Sequence, residues 1–181
     1  MKVFVFFLVS LLDSTNTEVR SSLINQESFN FLIKNNRVEA ARVPCIIPIK
    51  NFDGTRVSSI YGIRQHPVFK KMRQHHGFDI ACGNQPIIAA GTGIVSKTGY
   101  SKGLGNFIKV IHGNGYETTY GHLSQVLVRK GDIVKLAQEI GIAGSTGLST
   151  GTHLHYEVRF QGQLQDPIHY LLLLYRVMLK K

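Results

Sequence analysis

Short hydrophobic runs separated by turn residues dominate the chain from Pro44 onward. The runs are rich in β-branched and aromatic residues and alternate with glycine-containing turns, a pattern typical of short strands. The predicted strands cover residues 87–90, 93–97, 106–112, 116–120, 133–134, 140–143 and 154–160. Short strands joined by regularly spaced turns predict a mainly β fold built on a compact antiparallel sheet.

The two flanking regions have a different pattern. Residues 13–44 are rich in Asn, Ser, Glu and Arg with scattered apolar positions, which suits either a helix or a partly ordered linker. Residues 168–181 contain four consecutive leucines and a basic end, and predict a helix packed on the domain. We therefore place a non-catalytic N-terminal extension at 15–44, the main domain at 45–170 and a helical tail at 171–181.

The first residues resemble an export signal. Lys2 precedes a run from Val3 to Leu12 that is apolar except for Ser10, which predicts a signal peptide over residues 1–14. The run is too short for a membrane span of about 20 residues. No A-x-A-like cleavage site follows it, and a buried N-terminal strand is the alternative. Export to the periplasm or cell envelope is the expectation.

Composition and charge indicate the partners and the surroundings to expect for the protein. The 181 residues are enough for one domain with a real core. The formal net charge of +10 points to an anionic cell wall, an anionic membrane surface or nucleic acid, although surface solvation alone also explains it. Basic and aromatic residues are not interleaved and no recognition helix is evident, so we expect no nucleic-acid partner.

Cys45 and Cys82 would meet oxidising conditions after export, but two cysteines alone do not establish a disulfide.

Three histidine-bearing segments carry the candidate chemistry. His153 and His155 are two residues apart, so in a strand both imidazoles face the same side. The segment from His75 to Asp79 adds imidazoles and a carboxylate around Gly77, and His122 follows a β-rich run at the edge of a turn. Imidazole is the commonest metal ligand and also titrates near neutral pH.

Two histidines and one aspartate would supply three protein ligands and leave a fourth zinc position open. An open position is typical of a catalytic zinc site, whereas structural sites are closed and usually rich in Cys. Composition and spacing alone do not select His155 over His153, or His75 over His76.

Four separated motifs resemble the lysostaphin-type peptidases, the LytM-like zinc endopeptidases of family M23. The resemblance covers roughly residues 46–167. The motifs are Tyr61-Gly62-Ile63-Arg64 with His66-Pro67, the H-x-G-x-D segment from His75 to Asp79, Tyr120-Gly121-His122, and Gly144-Ser145-Thr146-Gly147 leading to His153-Leu154-His155.

The resemblance implies both an activity and a set of roles. It implies that His75, Asp79 and His155 bind zinc, and that His122 and His153 flank a zinc-activated water and relay protons. It further implies an endopeptidase that hydrolyses peptide cross-links or stem peptides of bacterial peptidoglycan.

Strand geometry offers a separate test of His75 against His76. If the segment is one regular strand, His75 has even spacing to Asp79 and shares its face, whereas His76 faces away. Gly77 could host a bulge that shifts this alternation. The resemblance, with Gly second after the ligand, selects His75 independently.

Two other functions compete with the peptidase. A LytM-like module that has lost its metal and activates other wall hydrolases is one, although all five site positions are filled here. A biotinyl- or lipoyl-type carrier is suggested by residues 128–134 and 138–141, but neither Lys130 nor Lys135 has the setting of an acceptor lysine.

Three further features bear on the site. The glycine-rich loop, residues 144–151, suits either close approach of a peptide substrate or a plain turn. Ala137 stands where a Gly is common in the family, and Phe69 lies where some relatives carry a Tyr that assists the transition state.

Overall fold

The computed structural model describes residues 24–52, 57–65 and 70–179, and every structural statement below refers to these residues. The predicted signal peptide at residues 1–14 lies outside them. Phe69 and the His66-Pro67 pair lie outside them as well.

Four helices flank the sheet region. They are α1 (Gln26–Asn35), α2 (Arg37–Ala40), α3 (Ile168–Leu171) and α4 (Leu173–Leu179). A capping box fixes the start of α1, because the Asn25 side chain accepts from the Ser28 amide and Ser28 bonds back to the Asn25 amide. Phe29 of α1 is fully buried, and the Gln26 amide donates to the Leu173 carbonyl at 3.2 Å. Residues 26–35 and 37–40 are therefore helical, and α1 is hydrogen-bonded to the start of α4.

Thirteen strands form the body of the fold. They are β1 (Val57–Ser59), β2 (Gly62–Gln65), β3 (Met72–His75), β4 (Phe78–Ile80), β5 (Pro86–Ile88), β6 (Gly93–Ser101), β7 (Gly105–Gly113), β8 (Tyr116–Leu123), β9 (Gln125–Val126), β10 (Ile133–Val134), β11 (Glu139–Ile142), β12 (Leu154–Phe160) and β13 (Gln163–Gln165).

All strand pairs are antiparallel. An eight-stranded sheet has the order β1-β4-β12-β8-β7-β6-β10, with β13 paired to β12. A three-stranded sheet has the order β5-β11-β9, and β2 and β3 form a separate hairpin. The prediction of a mainly β antiparallel fold is confirmed, and each of the predicted runs contributes to a strand.

The core lies around the two central strands, β8 and β12. Tyr120 and Tyr156 are opposite each other in register, with ring centroids 5.4 Å apart, and both are fully buried. Ile108 of β7 and Leu154 of β12 extend the same core. Because β8 and β12 are buried over most of their length, they form a rigid support for side chains at their ends.

β3 is one of the short strands that the hydrophobic pattern did not predict. β3 reads Met-Arg-Gln-His, and only its last residue is buried. Such a segment lacks the alternation of apolar and polar positions on which strand prediction rests. It is extended because β2 pairs with it.

The C-terminal helix also differs from the prediction. It is broken at Leu172, whose backbone is not helical, into α3 and α4. Leu171, Leu172 and Leu173 are all buried. Consecutive positions on one α-helix point about 100° apart, so a straight helix would turn part of this run away from the core. The break allows all three side chains to be buried.

The structure also bears on the two cysteines and on the question of a membrane-spanning helix. Cys45 and Cys82 are both free thiols, and burial raises the pKa of each. No described helix is both long and apolar enough to cross a membrane.

Candidate metal centre

The pairing of β4 with β12 brings two of the predicted ligands together. Asp79 and His155 are direct partners in the register of these antiparallel strands. On the other side of β12, His155 lies opposite Gly121, where an added Cβ would contact the His155 Cβ at 3.4 Å.

His75 completes the cluster from the end of β3. Its Nε2 lies 3.2 Å from Asp79 Oδ1, and His155 Nδ1 lies 2.7 Å from the same oxygen. The two imidazole nitrogens are 3.3 Å apart. The residues His75, Asp79 and His155 are 8%, 6% and 7% exposed. Among the described residues, this trio is the group of His, Cys, Asp and Glu side chains whose donor atoms converge within 4.8 Å.

Hydrogen bonds on the far side of each ring make both imidazoles suitable metal ligands. The Nδ1–H of His75 donates to the Ile60 carbonyl at 2.7 Å, which leaves its Nε2 lone pair facing Asp79. The Nε2–H of His155 faces Glu157 Oε1 at 3.3 Å, which directs its Nδ1 to the cluster. Such outer hydrogen bonds fix the tautomer and orientation of ligating histidines. The donor set therefore fits a zinc ion with two nitrogen ligands and one oxygen ligand.

The charges of the trio are strongly coupled. Burial opposes protonation of His155, but hydrogen bonds to Asp79 and Glu157 outweigh it and raise the pKa of His155 to about 9. Burial also disfavours the Asp79 carboxylate, but hydrogen bonds from His155 and His75 lower the pKa of Asp79 below its usual range. The site thus holds Asp79 as a carboxylate, and a positive charge next to it is strongly favoured.

His122 and His153 stand beside the trio, and each ring is anchored through Nδ1 to a backbone carbonyl. The Nδ1–H of His122 donates to the Thr146 carbonyl, and the Nδ1–H of His153 donates to the Gly151 carbonyl, each at 2.7 Å. Their ring centroids are 4.6 Å apart. Each Nε2 is then the free ring nitrogen, and that of His153 lies 3.9 Å from Asp79 Oδ1. Burial is the largest cause that lowers the pKa of His122, to about 4, so its ring is neutral near pH 7.

The backbone of His122 is in an unusual conformation. Its φ is +60°, in the left-handed region that non-glycine residues seldom occupy. Its amide donates to the Leu104 carbonyl at 2.6 Å, and its ring is anchored to Thr146 as described. A strained conformation persists where the surroundings over-determine it. Here those contacts hold the imidazole beside the convergent trio, with its ring centroid 5.7 Å from that of His155.

Gly77 packs directly on the His155 ring. A Cβ at this position would lie 2.6 Å from the Tyr156 carbonyl and 2.7 Å from His155 Cε1. Only glycine permits this approach without displacing the His155 ring. The glycine of the H-x-G-x-D motif therefore supports the ligand from the side.

The turn at Gly77 also places the adjacent histidines in different surroundings. His75 ends β3 and Asp79 lies in β4, so the segment is not the single regular strand on which the alternation argument relied. The chain bends at residues 76–77, which brings His75 back to Asp79 and leaves His76 exposed. His76 does not belong to the convergent trio.

A groove runs along the cluster. A cavity of about 380 Å³ contains the trio and both flanking histidines, and Leu148, Ser149 and Thr150 of the glycine-rich loop form part of its wall. A neighbouring cavity of about 420 Å³ continues past Asp79 and His153, lined also by Ser58 and Ser59. The glycine-rich loop packs against the backbone at Gly105. A Cβ on Gly147 would lie only 2.2 Å from the Gly105 amide nitrogen.

Three residues of the site were not predicted from the sequence. Glu157 was missed, although it follows His155 by two residues on a strand and so shares its face. Arg64 lies in a quoted motif but received no role, and its Nη2 is 3.6 Å from Asp79 Oδ2. No sequence signal identified Arg73, which also lines the groove.

The model for peptidase family M23 matches residues 73–167, more than half of the chain. The chain belongs to peptidase family M23. The predicted resemblance is therefore confirmed, and the match includes the convergent trio and both flanking histidines.

Individual relatives show the same relationship. The DD-carboxypeptidase/endopeptidase Mpg of Neisseria meningitidis serogroup B is 43% identical over 115 residues, which are 63% of this chain and 26% of the relative. The peptidoglycan DD-endopeptidase ShyA of Vibrio cholerae serotype O1 is 43% identical over 110 residues, 60% of this chain and 26% of the relative. The chain thus spans about a quarter of the length of these relatives.

A solved structure supports the fold. The crystal structure of a zinc-containing peptidase from Vibrio cholerae superimposes with a TM-score of 0.61 at 35% identity, covering 67% of this chain and 38% of that chain. This M23 domain therefore has the architecture of a known metallopeptidase.

Proposed function

We propose that this M23 chain is a zinc-dependent endopeptidase that hydrolyses the peptide cross-links or stem peptides of peptidoglycan. The observation that carries the proposal is the convergence of His75 Nε2, Asp79 Oδ1 and His155 Nδ1 in one buried cluster. The names of the relatives, a peptidoglycan DD-endopeptidase and a DD-carboxypeptidase/endopeptidase, support the substrate.

The residues divide into two roles. His75, Asp79 and His155 hold the ion, with one carboxylate to offset part of its charge. A zinc ion held there would supply a water molecule acidified to a pKa of about 7 and would polarise the scissile carbonyl. His122 and His153 present free Nε2 atoms on the open side of the trio, where they take up a proton and return one to the leaving amine.

The site geometry favours catalysis over a purely binding role. A LytM-like activator needs neither a convergent ligand trio nor two adjacent proton acceptors. This chain has both the trio and the two adjacent histidines. Hydrogen bonds to Ile60 and Glu157 hold the rings of His75 and His155 in place. Peptidoglycan lies outside the cytoplasm, so the proposal also requires export, and the charge of +10 suits an anionic wall or membrane surface.

Digestion of purified peptidoglycan tests the proposal. We expect the zinc-loaded protein to release peptide fragments that mass spectrometry identifies as cleaved at one type of amide bond. A chelator should abolish the release, and zinc should restore it. Full activity of rigorously metal-free protein would overturn the proposal.

Two variants separate ligation from proton transfer. His155→Ala should lose both zinc and hydrolysis, since it removes a ligand. His122→Ala should retain zinc but lose rate by about 10²- to 10⁴-fold, the usual contribution of a general acid or base. Equal zinc content in the two variants, measured by elemental analysis, would show that the roles are assigned wrongly.

A further inference from the structure

The hydroxyl of Thr146, in the glycine-rich loop, links two strands of the large sheet. It donates to the Leu123 carbonyl at 2.9 Å and accepts from the Asn106 amide at 3.0 Å. Asn106 and Leu123 are register partners near the start of β7 and at the end of β8. His122 immediately precedes Leu123, so the hydroxyl is anchored next to a residue with a proposed role in proton transfer.

The main-chain carbonyl of the same residue holds the His122 ring. The Thr146 oxygen lies 2.7 Å from His122 Nδ1. A carbonyl oxygen only accepts hydrogen bonds, so this contact keeps a proton on Nδ1 and leaves Nε2 as the nitrogen that exchanges one. The position of this carbonyl therefore fixes both the tautomer and the direction of the imidazole.

The side chain of Thr146 makes its shorter contacts with the neighbouring strand backbone. The Thr146 amide lies 3.4 Å from the His122 carbonyl, which is long for an N–H···O hydrogen bond, whereas both bonds of the hydroxyl are 3.0 Å or shorter. Gly105 packs against this hydroxyl, since a Cβ there would lie 2.2 Å from Thr146 Oγ1. The loop is thus attached to the strands at Thr146 mainly through a side chain.

The backbone of His122 requires such support. Its φ of +60° lies in a region that persists only where the surroundings hold it. The supports at His122 are the bond from its amide to the Leu104 carbonyl and the bond from its ring to Thr146. Loss of the Thr146 hydroxyl would loosen the second support and allow the ring to turn.

We propose that the Thr146 hydroxyl positions His122, because it fixes the carbonyl that orients the imidazole. This inference rests on the proposed endopeptidase function, in which His122 moves a proton. Thr146 is not among the described residues that line the groove, so it acts through His122 rather than on the peptide. The glycine-rich loop thereby supports a catalytic side chain, a role separate from any approach to the substrate.

Thr146→Val removes the hydroxyl at nearly constant size. We expect kcat on peptidoglycan fragments to fall by roughly 10- to 100-fold, since a misplacement of about 1 Å can lower a rate about 100-fold. KM and zinc content should stay at the wild-type level, because the groove wall and the trio are unchanged. Thr146→Ser keeps the hydroxyl and should retain most of the rate. Thr98→Val makes the same change at a half-buried threonine of β6 outside the groove and should keep the wild-type kcat.

A double variant separates positioning of His122 from any other role of the hydroxyl. In the His122→Ala background, Thr146→Val should lower kcat no further, since the group that it positions is already absent. Thr146→Ala, which puts no methyl group in place of the hydroxyl, should reproduce both results. Agreement between the two substitutions would show that the lost hydrogen bonds, rather than a new steric contact, cause the effect.

The Nδ1–H of His122 provides a readout that does not depend on hydrolysis. Proton NMR of protein with isotope-labelled histidine should show its signal, identified by its absence in His122→Ala. The bond to the Thr146 carbonyl should slow exchange of this proton with water. We expect the signal to persist in Thr146→Ser and to be lost through exchange in Thr146→Val.

Two results would overturn the role of Thr146 and leave the endopeptidase standing. One is a wild-type kcat, or a wild-type Nδ1–H signal, in Thr146→Val. The other is an equal loss of kcat from Thr146→Val in the presence and absence of the His122 ring. If wild-type protein hydrolyses no peptidoglycan, the proposed function fails instead, and the NMR comparison alone shows whether the hydroxyl holds the ring.

Discussion

Glu157 lies two residues after His155 on β12, and its Oε1 is 3.3 Å from the outer nitrogen of that imidazole. Both side chains are buried. The carboxylate fixes the ring so that Nδ1 faces Asp79, and it adds negative charge behind a ligand. Carboxylate–histidine pairs of this kind raise the basicity of a zinc ligand.

Removing this carboxylate should weaken zinc binding. We expect Glu157→Leu to lower zinc affinity by about 10- to 100-fold, as loss of such outer partners typically does. Glu157→Gln keeps an acceptor oxygen and should have a smaller effect. Competition with a chromophoric chelator measures the affinity. Glu117→Leu is the control, because Glu117 pairs with Lys109 on neighbouring strands rather than with a ligand. Wild-type affinity in Glu157→Leu would contradict the role.

The contact between Gly77 and the His155 ring predicts a second loss of metal. Gly77→Ala would place a Cβ within 2.7 Å of His155 Cε1, so the ring must move from its position opposite Asp79. We expect zinc content well below one ion per chain and a destabilisation of about 1–3 kcal/mol. Gly103→Ala is the matched control, since its Cβ would meet no atom within 4 Å. Equal zinc content in both variants would show that the ring tolerates the methyl group.

The adjacent histidines should behave differently. His75→Ala should remove zinc and reduce hydrolysis to background, because His75 Nε2 belongs to the trio. His76→Ala should retain the metal and most of the rate, because its side chain is exposed. Elemental analysis with parallel rate measurements decides the matter. The reverse result would overturn both the site and the alignment of the motif.

His112 predicts a pH-dependent stability away from the metal centre. Burial is the main cause that lowers its pKa to about 4 from an ordinary value of 6.5. Its Nδ1–H donates to the Thr92 carbonyl at 3.1 Å, and its Nε2 lies 2.7 Å from the Thr118 hydroxyl. The folded protein thus holds this ring neutral at a pH where the unfolded chain binds a proton.

The sign of the effect follows from linkage. Below pH 6.5 the unfolded chain gains protons at His112 that the folded protein does not, so the free energy of unfolding falls as the pH falls to 4. The loss is up to about 3 kcal/mol. Denaturant unfolding at several pH values should show a shallower decline for His112→Gln than for the wild type. Parallel curves for the two proteins would exclude the contribution of His112.

Local sequence determined the strands of the core. The runs that became β7, β8 and β12 alternate or cluster β-branched and aromatic residues between glycine turns, and this signal is independent of distant residues. Ala137 is a further local case. Its φ is +65°, in the left-handed region that favours glycine.

The motifs also identified the candidate ligands, but through resemblance rather than through spacing. Spacing left His75 and His76 as alternatives, and the strand argument assumed a regular segment. The structure shows a bend at residues 76–77 instead, because β3 pairs with β2 and β4 pairs with β12. Which of His75 and His76 lies next to Asp79 thus depended on the strands that pair with β3 and β4.

Only the tertiary structure decided which distant side chains meet. Asp79 and His155 are 76 positions apart, and their contact follows from the register of β4 against β12. Arg64 likewise lies opposite Arg73 because of the register between the polar strands β2 and β3. Side-chain alternation and turn chemistry depend on neighbouring residues and can be predicted from the sequence. Strand register depends on hydrogen bonds and packing between remote segments, which this single sequence does not specify locally.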